Sequence, residues 1–304
     1  VRGTLPPPGP AWGGSVMGTS LMATLMVTSG YPAVAWVFAV LGALIFLVLL
    51  GGFLVYRSPR FRQDLMAPWA MWFIGTMALG TAWTKLTGAE WCILLGFWVG
   101  APLCVVAYFN QLRRFSGVPN FAWGLPLVGP IMASNTAGTI SALTGSRSYA
   151  VLGIVFMAMS VLAAYPVFAR VYVAALRGEA DISGPSAATT WIPLGVVGQS
   201  TSAIALLFGA RAEILVGSAL VALAVPMMLF AMWHFYPAVA RWVDYSPAWW
   251  ASTFPTGAIG VGGYTLAQAW GIDWMNAVAT MLPALLVLHW GLCAARFVSW
   301  RCGH

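Results

Sequence analysis

The polar side chains that this sequence sets deep within apolar runs are nearly all hydroxyls and amides. They are Ser15, Thr19, Ser20 and Thr24; Thr76 and Thr81; Ser134, Asn135, Thr136 and Thr139; Gln199, Ser200, Thr201 and Ser202; and Ser252, Thr253 and Thr256. Such groups offer dipoles without net charge, so they can solvate a small ion in passing and release it, as conduction requires. The missing groups narrow the chemistry further. No Asp or Glu falls inside these runs: Glu90, Glu213 and Asp273 lie at their far ends, and Asp64, Glu179, Asp181 and Asp244 at the opposite side. Ion-coupled carriers commonly mark their pathway with carboxylates, and cation channels favour acidic rings. There is no HExxH, paired His/Asp or GxSxG, so an enzyme of the membrane has no candidate site. No metal or other cofactor is expected. Cys92, Cys104, Cys293 and Cys302 lack ligand spacing and read as inert thiols. Lys85 stands at the end of a run, where its ammonium reaches the interface, which argues against a retinal Schiff base. His234 and His289 receive no role, and His289 reads as a hydrogen-bonded packing residue.

These groups need elements to hold them. The chain has 304 residues, 61% hydrophobic and 7% charged, with a mean hydropathy of +0.85. Soluble domains carry about 25% charged residues because water-facing surface needs them. This chain needs lipid as its solvent. About 20 apolar residues cross a hydrocarbon core of ~30 Å, so the length allows about ten helices with short loops, and one domain over residues 1–304 is expected. The spans are expected at residues 11–29, 33–56, 67–86, 91–111, 122–143, 149–175, 189–209, 213–237, 248–270 and 274–298, many with Trp at an end as the interfacial belt predicts. Residues 1–10 are rich in proline and lack the charged-then-apolar pattern of a cleaved signal peptide.

The net charge of +7 reflects topology rather than a nucleic-acid partner. Arg2, Arg57, Arg60, Arg62, Arg113, Arg114, Arg170, Arg177, Arg241, Arg296 and Arg301 fall on one side of the ten spans. Lys85, Arg147 and Arg211 fall on the other. By the positive-inside rule both termini are cytoplasmic in a cell membrane, and the segregation itself requires an even number of spans.

Proline recurs near the start of every odd span, at Pro10, Pro68, Pro126, Pro193 and Pro255, with gaps of 58, 58, 67 and 62 residues and a Trp close by each time. Proline suits a first helical turn and Trp an interface, yet neither preference explains the regular spacing. A helical hairpin used five times in one orientation does. Parallel repeats are related by an axis along the membrane normal. The odd spans hold the polar side chains and close-packing glycines, so they form the inner ring. The expected fold is therefore all-α: ten transmembrane helices as five hairpins, quasi-fivefold, with odd helices lining a central pore. The pore wall is expected from Gly18, Thr19, Gly75, Thr76, Pro126, Pro130, Asn135, Pro193, Gln199, Thr253, Pro255 and Gly257.

The order of these motifs resembles a known family. Pro10-Ala11-Trp12 with Met17-Gly18-Thr19, Trp191-Ile192-Pro193-Leu194-Gly195 with Gln199, and Trp249-Trp250-Ala251-Ser252-Thr253-Phe254-Pro255 are similar to the first, seventh and ninth helices of the tellurite-resistance/dicarboxylate transporter family. That family includes tellurite-resistance channels, malate permeases, sulfite efflux pumps and the slow anion channels of guard cells. The resemblance runs from about residue 8 to 298. It implies small inorganic or organic anions as substrates, a homotrimer, and a phenylalanine of the ninth helix that occludes the pore, at Phe254. From the residues alone Phe254 is one of sixteen phenylalanines, although the adjacent Pro255 removes a backbone hydrogen bond and can fix how the ring is presented. A proton-coupled carrier for C4-dicarboxylates or sulfite is the alternative. Gly13 departs from the family, where many members carry an aromatic residue after the Trp, and this departure is expected to widen the cytoplasmic mouth.

Overall fold

The computed structural model describes residues 5–302; Arg2, counted above among the cytoplasmic arginines, lies outside them. Among the described residues there are ten long helices and no strand. They are α1 Gly13–Thr28, α2 Pro32–Tyr56, α3 Met66–Thr87, α4 Glu90–Arg113, α5 Leu125–Thr144, α6 Arg147–Leu176 and α7 Ile192–Phe208, then α8 Ala210–Ala240, α9 Thr253–Trp270 and α10 Asp273–Cys302.

Seven of the ten are long and apolar enough to cross a membrane. The three that fall short, α1, α5 and α9, are all odd. The reason is their content of glycine, serine, threonine and asparagine, together with the 16-residue length of α1. What these helices lack in apolarity they recover in burial: α1 is buried from Gly13 through Leu25. In the most apolar stretch of each even helix the share covered by protein is 22% in α2, 44% in α4, 28% in α6, 17% in α8 and 22% in α10, against 56% in the stretch that contains α3 and 78% in the one that contains α7. Helices that are apolar all round and uncovered are those that lipid solvates.

Two local features recur along the chain. Every odd helix is preceded by a 3-10 turn: Pro10–Trp12, Gln63–Leu65, Phe121–Gly124, Gly184–Trp191 and Pro247–Ser252. The sequence reading placed these residues in the spans or their approaches without distinguishing them from α-helix. Their physical use is to finish a buried helix end. The first N–H groups of a helix have no partner of their own, and here the turn supplies carbonyls: Gly13 donates to Pro10, Leu125 to Ala122, Ile192 to Thr189 and Thr253 to Trp250. No side-chain cap is then needed. The second feature lies at the opposite end. Each odd helix turns into the next helix through a glycine at positive φ: Gly30 (81°), Gly88 (75°), Gly145 (70°), Gly209 (81°) and Gly271 (65°). Gly209 combines that φ with ψ 177°, a region open essentially to glycine alone.

The odd helices contact one another in sequence, α1 with α3, α3 with α5, α5 with α7, α7 with α9, and α9 again with α1. Each even helix lies against its own odd partner and also against the following odd helix, α10 closing the series on α1. The glycines make the closest crossings. A methyl on Gly198 would lie 2.3 Å from the Ala258 backbone, and one on Gly262 would lie 2.5 Å from the Gly198 carbonyl oxygen, so α7 and α9 touch backbone to backbone. Gly13 serves the same purpose. A methyl there would lie 2.6 Å from the Trp72 nitrogen of α3. This corrects the expectation of a wider mouth: the position faces a neighbouring helix, and an aromatic side chain has no room in that direction.

Candidate pore and its constriction

A cavity of about 10 Å³, the space of one water, lies where the odd helices begin. Its lining comes from all five of them and from the turn before α9: Gly14 and Met17 of α1, Met71 of α3, Leu125 and Val128 of α5, Ile192 and Gly195 of α7, Trp250 and Ala251, and Phe254 and Pro255 of α9. Among the described residues no even helix contributes, and no ionisable side chain lines it. Phe254 is 2% exposed. Its ring faces Gly195, where an added methyl would lie 3.7 Å from Phe254 Cδ1 and 3.6 Å from Pro255 Cγ. The ring thus rests against bare backbone of α7, a contact that leaves its rotation unimpeded by any opposing side chain on that residue.

The residues expected to line a pore divide into three groups. Phe254 and Pro255 are at the cavity. Pro126 and Pro193 are the second residues of α5 and α7, each next to a lining residue, Leu125 and Ile192. Pro130 is buried inside α5. The third group sits at helix contacts. A methyl on Gly18 would meet the Thr253 hydroxyl, one on Gly75 would meet Val16, and one on Gly257 would meet Leu21 and Leu286. The Thr19 hydroxyl accepts from Trp290 Nε1 of α10 at 2.9 Å, so it points to an outer helix. Thr76 donates to the Trp72 carbonyl within its own helix, and Thr253 to the Trp250 carbonyl. Asn135 bridges α5 to α7: its amide donates to the Gln199 carbonyl at 2.6 Å and to Gln199 Oε1 at 2.5 Å. Both residues are buried. Replacing Asn135 by leucine strands the Gln199 amide oxygen and is expected to cost about 1–3 kcal/mol, read as a lowered midpoint of thermal unfolding in detergent.

Sequence reasoning did not place Met17, Met71, Leu125, Val128 and Ile192 in the lining, because it looked to polar side chains, glycines and prolines. A signal was present: Leu125, Ile192 and Phe254 each stand immediately before a repeated proline. The electrostatics of the place come from backbone. Leu125 and Ile192 are the first residues of their helices, and Gly14 and Phe254 the second. The amino-terminal end of a helix carries about half a positive charge, and four such ends surround the cavity. Glu213, expected at an outer end, lies in the first turn of α8, where it begins a π-helical segment, Glu213–Gly217, and is 3% exposed, beside Thr265 of α9.

A helical bundle with a lipid-facing outer layer and a covered inner layer is that of a multi-pass membrane protein, and a constriction surrounded by helix amino termini suits an anion. The chain belongs to the voltage-dependent anion channel family, whose model matches residues 9–298. No individual curated protein matches it. Members of this family move anions across membranes as channels or transporters, and they are not enzymes.

Proposed function

We propose that this protein conducts small anions across the cell membrane through an axial passage, enclosed by the five odd helices in quasi-fivefold order and closed at Phe254. The observation that carries the reading is that, among the described residues, the cavity at Phe254 draws its walls from the odd helices and the turn before α9 alone. Neutral walls and helix amino termini attract an anion without holding it as a buried arginine would. In this reading Pro126, Pro193 and Pro255 set the helix starts around the constriction. Gly18, Gly75 and Gly257 bring the inner helices together, and the uncovered apolar faces of the even helices meet lipid and the neighbours of a homotrimer. Both termini face the cytoplasm, as the distribution of arginines supports. The test is reconstitution into liposomes with gradients of chloride, nitrate, sulfite and malate. Voltage-driven anion flux with ohmic reversal potentials is expected, and its absence from folded protein would sink the reading.

A second reading, a proton-coupled carrier for C4-dicarboxylates or sulfite, is favoured by one observation: the carboxyl of Glu213 is covered by protein beside α9. The two readings part on one variant. If the protein is a channel, Glu213→Gln leaves the anion flux and its response to a pH gradient unchanged. Under coupling, the same variant abolishes uptake driven by a pH gradient.

A further inference from the structure

One face of α10 carries His289, Cys293 and Arg296, at the four- and three-residue spacing that stacks side chains along a helix. All three are buried, and all three reach backbone carbonyls of the segment that leads into α9. Arg296 donates to the carbonyls of Trp242 and Val243, with its guanidinium 4.1 Å from the Trp242 ring centre and 5.1 Å from that of Trp249. The Cys293 thiol donates to the Trp249 carbonyl at 3.3 Å. His289 Nδ1 lies 3.4 Å from the carbonyl oxygen of Ser252, two residues before Phe254. A helix packed for lipid alone has no need of three polar side chains directed at one turn.

The tautomer of a neutral His289 follows from its partners. A carbonyl oxygen only accepts, so Nδ1 carries a hydrogen, and in the neutral ring Nε2 carries the lone pair. Nε2 then accepts from the Tyr236 hydroxyl of α8 at 3.1 Å. The ring is held edge-on to Trp191, with centroids 4.6 Å apart at 88°, and beside Phe235. Tyr236 thus fixes the tautomer and tilt of an imidazole whose other nitrogen grips the turn beneath the constriction. The chain of contacts runs from α8 through α10 to α9, although α8 and α9 are joined by a lead-in turn of their own.

We propose that His289, oriented by Tyr236, is a positioning residue that latches the Pro247–Ser252 turn and so holds Phe254 in its closed place. This rests on Phe254 as the point of closure, and the experiment separates the two claims. Chloride and nitrate currents are measured for the reconstituted full chain carrying His289→Leu, His289→Asn or Tyr236→Phe, each with Phe254 intact and with Phe254→Ala. With Phe254 intact, His289→Leu raises the leak about fivefold, the weight of one hydrogen bond. Asparagine places its amide nitrogen near the position of Nδ1, so His289→Asn returns the leak toward the wild type. Tyr236→Phe, which removes one oxygen, gives a smaller rise in the same direction. On the Phe254→Ala background none of the three adds to the current, because there is no ring left to hold.

An unchanged or reduced current in both His289→Leu and Tyr236→Phe, alongside a raised one in Phe254→Ala, overturns the latch and leaves the closure at Phe254 standing. Equal rises on both backgrounds also overturn it, since His289 would then act elsewhere. No rise in Phe254→Ala removes the point of closure and the latch with it. Should His289→Leu fail to give a monodisperse protein, Tyr236→Phe decides by the same outcomes.

Discussion

Phe254→Ala is expected to raise the anion current of the reconstituted protein about tenfold or more, the result of lowering a hydrophobic barrier by about 1.4 kcal/mol or more. The argument is one of volume. The space around the ring has room for a single water, and the ring itself is 2% exposed. The other lining side chains are aliphatic, glycine, proline, a tryptophan already engaged with Tyr245, and the flexible thioethers Met17 and Met71. Truncating the ring therefore leaves a hole that only Met17 and Met71 could narrow without a movement of helices. The same truncation of a packed Phe costs about 3–5 kcal/mol of stability. The measurement must pair current with a thermal unfolding midpoint. A large current from a protein that remains monodisperse and cooperative supports closure by the ring. Unchanged current from such a protein would mean that the ring packs and does nothing else.

The second large effect concerns the crossing of α7 and α9. Gly198→Ala places a methyl 2.3–2.4 Å from the backbone of Ala258 and Ile259, a contact no rotamer change can relieve because the obstacle is main chain. Overpacking of this kind typically costs about 1–3 kcal/mol, and a main-chain obstacle puts this crossing toward the upper end. The expected result is a clear drop in the unfolding midpoint in detergent, together with a leak, since parting α7 from α9 also parts Gly195 from Phe254. Gly51→Ala serves as the control, as nothing lies within 4 Å of a methyl there. Equal midpoints for the two variants would refute the backbone-to-backbone crossing.

Much of the architecture could be read from the residues. Composition required lipid, the arginines required an even number of spans, and the prolines at Pro10, Pro68, Pro126, Pro193 and Pro255 marked where inner helices begin. A matching register of glycines at Gly30, Gly88, Gly145, Gly209 and Gly271 marks where they end, and it was equally available. The site was legible only in part. Phe254 came from resemblance, while the aliphatic residues beside it were passed over because hydroxyls seemed the better lining for an ion. Several of the hydroxyls bond within their own helices, as Thr76, Thr136 and Thr201 do by donating to the carbonyl four residues back. Sequence spacing places a side chain on a helix, but it does not say whether a threonine bonds outward or folds back. The grip of α10 on the turn before α9 was illegible for a similar reason. Its acceptors are carbonyls, which every residue carries.

The lead-in turns all stand at one end of the bundle, and so do the half-charges of the inner helices. A passage built this way is not the same seen from its two mouths. In the proposed passage an anion arriving from the arginine-rich side meets its attraction and its narrowest point almost at once, whereas one arriving from the other side must first travel past the carbonyl ends. The open molecule should therefore behave as a partial diode, its current at equal salt differing with the sign of the applied voltage.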